Sequence, residues 1–351
     1  MHAQQCHARG EKMNQSRKMT EGAMLLAIYI ALIMASLFIP VLSIFAILFT
    51  PVPFVLYAAR HSWKPAIVMV IGALIISAFL VPPISLPLAF LAGFGGILIG
   101  QSIHTKVSAY ETVVKGTAGF AVAIVVLMAL SQLLFQVNVL NLVDQSVTEG
   151  VDKSIKMSEQ ISSSTPEQVQ LIKQEASPVQ RLFLEVIDRS GSSTPEQIQL
   201  IKQQAELVQK LFPASMIFVS GLFALFTTWI SFKLLNRIDK QSLKFPRFRE
   251  LRMPAGLVWL YLAAVIFAFA TLEKDTITSM MAINALTILE VLVLLQGLSF
   301  LFYFSWKKKI SAVWPVIITI VMLFLPPVMY LVRLVGIMDI GLKLRDRISS
   351  K

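Results

Sequence analysis

The chain has 351 residues, is 56% hydrophobic with a mean hydropathy of +0.72, and carries a net charge of +11. That hydropathy is well above a soluble domain's, and apolar runs of about 20 residues, enough to cross a ~30 Å hydrocarbon core, recur along the chain. The basic residues cluster in short loops between these runs, which membrane insertion produces by itself, so the charge is no nucleic-acid footprint.

Residues 1–12, MHAQQCHARGEK, read as a non-native leader, because Met13 opens a more natural start, MNQSRKMTEGAM. Cys6 is the only cysteine, which excludes an internal disulfide, and His2, His7, His61 and His104 lack ligand spacing, so no metal and no cofactor are expected. The first apolar run, Gly22 to Ile39, has no A-x-A cleavage site after it and stays as an anchor. Thr20 is its expected N-cap.

Within this run Ala23, Ala27, Ala31 and Ala35 recur every four residues, which lays four methyl groups along one helical stripe. Small residues let helices approach closely in lipid, so the stripe either packs within the chain or docks a separate subunit. Residues 41–59 are apolar but contain Pro51 and Pro53, which must break the helix. Phe49 to Phe54 is therefore either a cavity lining, with Pro51 and Pro53 as its residues, or a simple kink. Further helices are expected over 65–81, 86–100 and 116–137, the second with a close-packing face at Ala92, Gly96 and Gly100.

Residues 138–212 differ in kind, with ten acidic against seven basic residues and no membrane-length run. SSTPEQVQLIKQEASPVQRLF at 163–183 returns as SSTPEQIQLIKQQAELVQKLF at 192–212, a tandem repeat of period 29. Thr165 and Thr194 can cap, Pro166 and Pro195 suit the first helical position, and Gln168 and Gln197 complete capping boxes. Each copy reads as a short amphipathic helix in an extracytoplasmic loop.

Membrane helices resume over 213–232, 254–272 and 277–305, and Pro326-Pro327 divides the last apolar stretch into 310–325 and 327–342. The fold class is thus an all-α polytopic membrane protein of about eight to ten segments: helices at 13–137, the loop at 138–212, helices at 213–342 and a tail at 343–351. With both termini inside, the inner segments hold 22 of the 31 Lys and Arg, which fits the positive-inside rule. The richest is 233–252, with seven, read as a topology signal or as a site for head groups or a partner.

Two charges are read inside apolar spans, Glu290 and Arg333, with Asn284 nearby. A mid-bilayer charge must face the bundle interior with a partner, so the two are expected to pair, either to fix helix register or to contact a ligand or ion. There is no G-x-S-x-G, no H-E-x-x-H and no phosphate-cradling loop, so no enzyme activity is expected.

The stretches TEGAMLLAIYIALIMAS, PVPFVLYAARHSWKPA, FPRFRELRMP and LVRLVGIMDIGLKLRDR resemble the YybS family of uncharacterised bacterial multi-pass membrane proteins. That family is distantly similar to the substrate-binding S components of energy-coupling-factor transporters. The resemblance implies a cell-membrane subunit for small-molecule uptake. It also implies that Ala23, Ala27, Ala31 and Ala35 dock a transmembrane coupling subunit. The alternative is a non-transporting envelope scaffold or assembly factor whose partner is another envelope protein.

Overall fold

A computed structural model describes residues 2–80, 85–136, 138–139, 141–143, 145–146, 148–150, 152, 203, 206–207, 209–271, 277–311 and 313–349. The tandem repeat, apart from a few residues of its second copy, lies outside the described residues. Those residues hold α-helices and one short 3₁₀ turn, with no strand among them. The protein is an all-α polytopic membrane protein.

The helices are α1 (His2–Phe38), α2 (Pro40–Phe49), α3 (Val52–His61), α4 (Trp63–Leu80), α5 (Ser85–His104), α6 (Ala109–Phe135), α7 (Phe212–Ile238), α8 (Gly256–Thr271), α9 (Ile277–Lys307), α10 (Val313–Phe324), α11 (Pro326–Leu342) and α12 (Leu344–Ser349). Among the described residues, five stretches are long and apolar enough to span a membrane: Lys18–Phe38, Ser85–His104, Ala109–Leu133, Phe212–Ile238 and Ile277–Lys307. Shorter apolar helices supplement them, so the expected eight to ten segments resolve into full-length and shorter elements.

Proline sets several boundaries. Pro40 and Pro326 open α2 and α11 in the first turn, where the missing N–H has no intrahelical partner anyway. At Thr50 and Pro51 the helix breaks, and the Thr50 hydroxyl bonds the Ile47 carbonyl at 2.7 Å. Thr20 is not a cap, because α1 runs through it and its hydroxyl bonds the Ser16 carbonyl within the helix.

Residues 1–127 and 214–351 form one packed unit, and 128–213 a second. In the second, the Asn138 side chain accepts from the Asn141 N–H, and Gln209 reaches Thr148.

The core of the first unit is built around α3, whose residues 52–59 are all buried. It lies on α5 at Gly96 and Gly100, where an added Cβ would fall 2.9 Å from the Pro51 carbonyl oxygen and 2.6 Å from that of Val55. Only glycine permits such an approach. Across α3, Tyr29 of α1 meets Phe54 edge-on at 5.0 Å. In the C-terminal part of the unit, α9 and α11 cross at Gly297 and Gly336, and α8 covers them through Leu257, Leu289, Val293 and Ile340. Large apolar side chains such as Phe79, Trp259, Ile266, Phe269 and Phe324 point outward, as a lipid-facing surface requires.

Candidate functional site

The α9–α11 crossing brings Glu290 and Arg333 together. With Gly297 against the Val332 carbonyl and Gly336 against the Val293 carbonyl, the backbones lie close enough for side chains one to two turns away to meet. Arg333 Nη1 stands 2.9 Å from Glu290 Oε1, with 14% and 27% of the two side chains exposed. The guanidinium also meets Met329 Sδ at 3.8 Å and lies 5.4 Å from the Tyr330 ring. Arg333 Nε is buried without an acceptor, and Tyr261 of α8 lies within the field of both charges. This is a charge pair that joins α9 to α11 within their apolar runs.

Asn284 has a different job. Its Oδ1 accepts from the Ala214 N–H at 2.8 Å and its Nδ2 donates to the Met280 carbonyl at 2.7 Å. It thereby satisfies one of the orphan N–H groups of the first turn of α7 and does not join the Glu290 pair. Pro51 and Pro53 are buried where α3 packs on α5, with the Pro51 carbonyl against Gly96. Of the alanine stripe, Ala23, Ala27 and Ala31 are exposed and Ala35 is partly so, while Leu25, Tyr29 and Ile33 carry the buried face of α1.

Asp339 is a charge that the sequence reading passed over. It sits near the end of α11, 2.9 Å from Arg345 Nε, and the side chains are 2% and 3% exposed. Gln296 Nε2 donates to the same carboxylate oxygen at 2.5 Å, and Arg345 further donates to Ser299 Oγ at 3.1 Å and to the Arg249 carbonyl at 2.8 Å. Burial pushes the Arg345 guanidinium below its ordinary pKa, and the field of Asp339 opposes that shift. Asp339 was legible as an acid inside an apolar run. Arg345 was counted only as a tail charge.

A second cluster ties α1, α3 and the end of α7. Arg60 makes a two-pronged contact with Asp239, at 2.9 and 2.7 Å, and reaches Glu21 at 3.1 Å. His61 Nε2 lies 2.5 Å from the other Glu21 oxygen. Arg suits this place because its planar fork can engage two carboxylates at once.

Two grooves among the described residues of the first unit stand out. One, of about 560 Å³, is apolar and lined by Leu48, Val219, Leu222, Phe226, Trp229 and Phe245 among others. The other, of about 490 Å³, lies between the turn at 247–249 and the end of α9, and combines Arg247, Arg249 and Lys309 with Phe248, Phe302 and Trp306.

No solved structure matches the chain. It is 27% identical over 345 residues, 96% of its length and 100% of the relative's, to "Uncharacterized protein YybS" of Bacillus subtilis (strain 168). The family described as "Predicted membrane protein (DUF2232)" matches residues 27–340, the stretch that holds the broken α2–α3 segment, the basic loop and the Glu290–Arg333 crossing. A polytopic helical bundle with charge pairs between its helices, matched over nearly its whole length, places this chain in the DUF2232 membrane protein family.

Proposed function

We propose that the protein is a multi-pass subunit of the bacterial cell membrane that works through a second membrane protein docked on α1. The observation that carries this reading is the exposure of Ala23, Ala27 and Ala31 on a helix whose buried face is Leu25, Tyr29 and Ile33. Leu, Ile or Phe suffices where a helix faces lipid, whereas a row of methyl-sized side chains lets another helix come close. In its transport form the subunit is S-component-like: it binds a small molecule for uptake and a coupling subunit docks on the alanine face. Both termini and the 233–252 loop are cytoplasmic in this reading, on the charge bias of the loops.

A second reading, a non-transporting scaffold or assembly factor, draws support from the burial of Pro51 and Pro53 where α3 packs on α5. Purification of the full chain in mild detergent, followed by identification of bound proteins and small molecules, separates the two. A small molecule retained together with an ATP-driven module supports transport. An envelope protein retained without either supports the scaffold.

A further inference from the structure

We infer that the groove between the 247–249 turn and the end of α9 binds the phosphate of an anionic membrane phospholipid. The sequence alone left the basic 233–252 loop explicable as a topology signal, which needs only a number of charges and no geometry. The loop is nevertheless held in one shape by side chains from four helices. Asn236 of α7 donates to the Leu243 carbonyl and accepts from its N–H, at 2.7 and 2.8 Å. The Tyr110 hydroxyl of α6 lies 3.3 Å from the Pro246 carbonyl oxygen, and the Ser299 hydroxyl of α9 donates to that of Phe248 at 2.7 Å. Arg345 of α12 holds the Arg249 carbonyl, and Gln296 accepts from the Met253 N–H at 3.0 Å. Phe245 packs on Phe232 and Phe248 on Phe302, at ring separations of 5.2 and 5.7 Å.

What the fixed loop presents is charge left uncompensated. Arg60, Arg252, Arg333 and Arg345 each pair with a carboxylate. Among the described residues, Arg247, Arg249 and Lys309 pair with none, and they converge on one groove. Glu250, next to the 247–249 turn, does not line the groove. Trp306 holds the Arg249 guanidinium over its ring at 4.2 Å, which orients the cation before any ligand arrives.

The remaining lining favours a lipid over a free phosphate ion. Phe248, Phe302, Ile310 and Pro315 supply apolar walls, which suit a glycerol backbone and the first acyl carbons. The groove lies at the end of α9, a helix of membrane length that closes on Trp306 and Lys307, so it falls at head-group level.

The test uses the full chain in detergent, titrated with short-chain phosphatidylglycerol, short-chain phosphatidylcholine and sodium phosphate, and followed by tryptophan fluorescence and thermal unfolding. Phosphatidylglycerol should bind and raise the unfolding midpoint, with the affinity falling as salt screens the cations. The triple variant R247Q/R249Q/K309Q should bind it about a hundredfold more weakly. Lys309→Gln alone, at an exposed position, should weaken binding by about fivefold and leave the lipid-free midpoint unchanged. Unaltered phosphatidylglycerol binding by the triple or single variant would overturn the proposal. Equal binding of phosphatidylcholine would overturn it too, as would displacement of the lipid by an equal concentration of sodium phosphate.

Discussion

Arg333 reaches Glu290 across the α9–α11 crossing at 2.9 Å, and its Nε remains buried without an acceptor. The two side chains are 14% and 27% exposed, and the Arg333 guanidinium also meets Met329 Sδ, so each charge depends on the other more than a surface pair would.

Removing one partner should therefore hurt more than removing both. Glu290→Gln or Arg333→Met alone is expected to destabilise by about 3 kcal/mol, and the double variant to recover much of that. Thermal unfolding in detergent reads the cycle. Additive losses with no recovery would show that the two residues are not energetically coupled. A Glu290→Gln protein of normal stability that has lost a bound ligand would make Glu290 a binding residue.

The crossing itself rests on Gly297 and Gly336. A Cβ on Gly336 would fall 2.9 Å from the Gly297 backbone nitrogen and closer still to the Val293 carbonyl oxygen. Gly336→Ala should cost about 2 kcal/mol or more, because backbone cannot move aside as a side-chain tip can. Gly256→Ala, where nothing lies within 4 Å, should stay within roughly 0.5 kcal/mol of wild type. Equal midpoints for the two variants would argue against the close crossing.

How much of this the sequence discloses depends on how local the signal is. The helices follow from apolar runs, and the breaks at Pro40, Pro51 and Pro326 from the fixed φ and missing N–H of proline. Glu290 and Arg333 were legible because few charges interrupt those runs. Asp339 stands near the end of its run and was missed, and its partner Arg345 looked like one more topology charge. The shape of the basic loop was not legible at all. It depends on Tyr110, Ser299 and Arg345, and the Tyr110–Pro246 contact spans 136 positions, a distance at which residue spacing carries no information. Asn284 illustrates the same limit, since its role is set by the start of α7, 70 residues away.

The Asp339–Arg345 pair should behave as a latch on that loop. Arg345→Met leaves a carboxylate that is 2% exposed without its cation and frees the Arg249 carbonyl. A loss of about 3 kcal/mol is expected, together with faster protease cleavage between 243 and 253. Unchanged cleavage at lowered overall stability would separate the pair from the loop.

Cysteine labelling reads the orientation. Ser163→Cys should react with an impermeant reagent in intact cells, and Ser242→Cys only after permeabilisation, if the basic loops are inside. Labelling of Ser242→Cys in intact cells would invert the topology.

Docking on α1 is tested most directly by placing a photo-crosslinking amino acid at Ala27 in the living membrane, with Ile71 on the exposed face of α4 as the comparison. The account predicts that Ala27 gives a discrete crosslink to one other membrane protein, while Ile71 gives none. It further predicts that Ala31→Trp abolishes the adduct without lowering the amount of inserted chain. No adduct at Ala27, or the same adduct from Ile71, would contradict it.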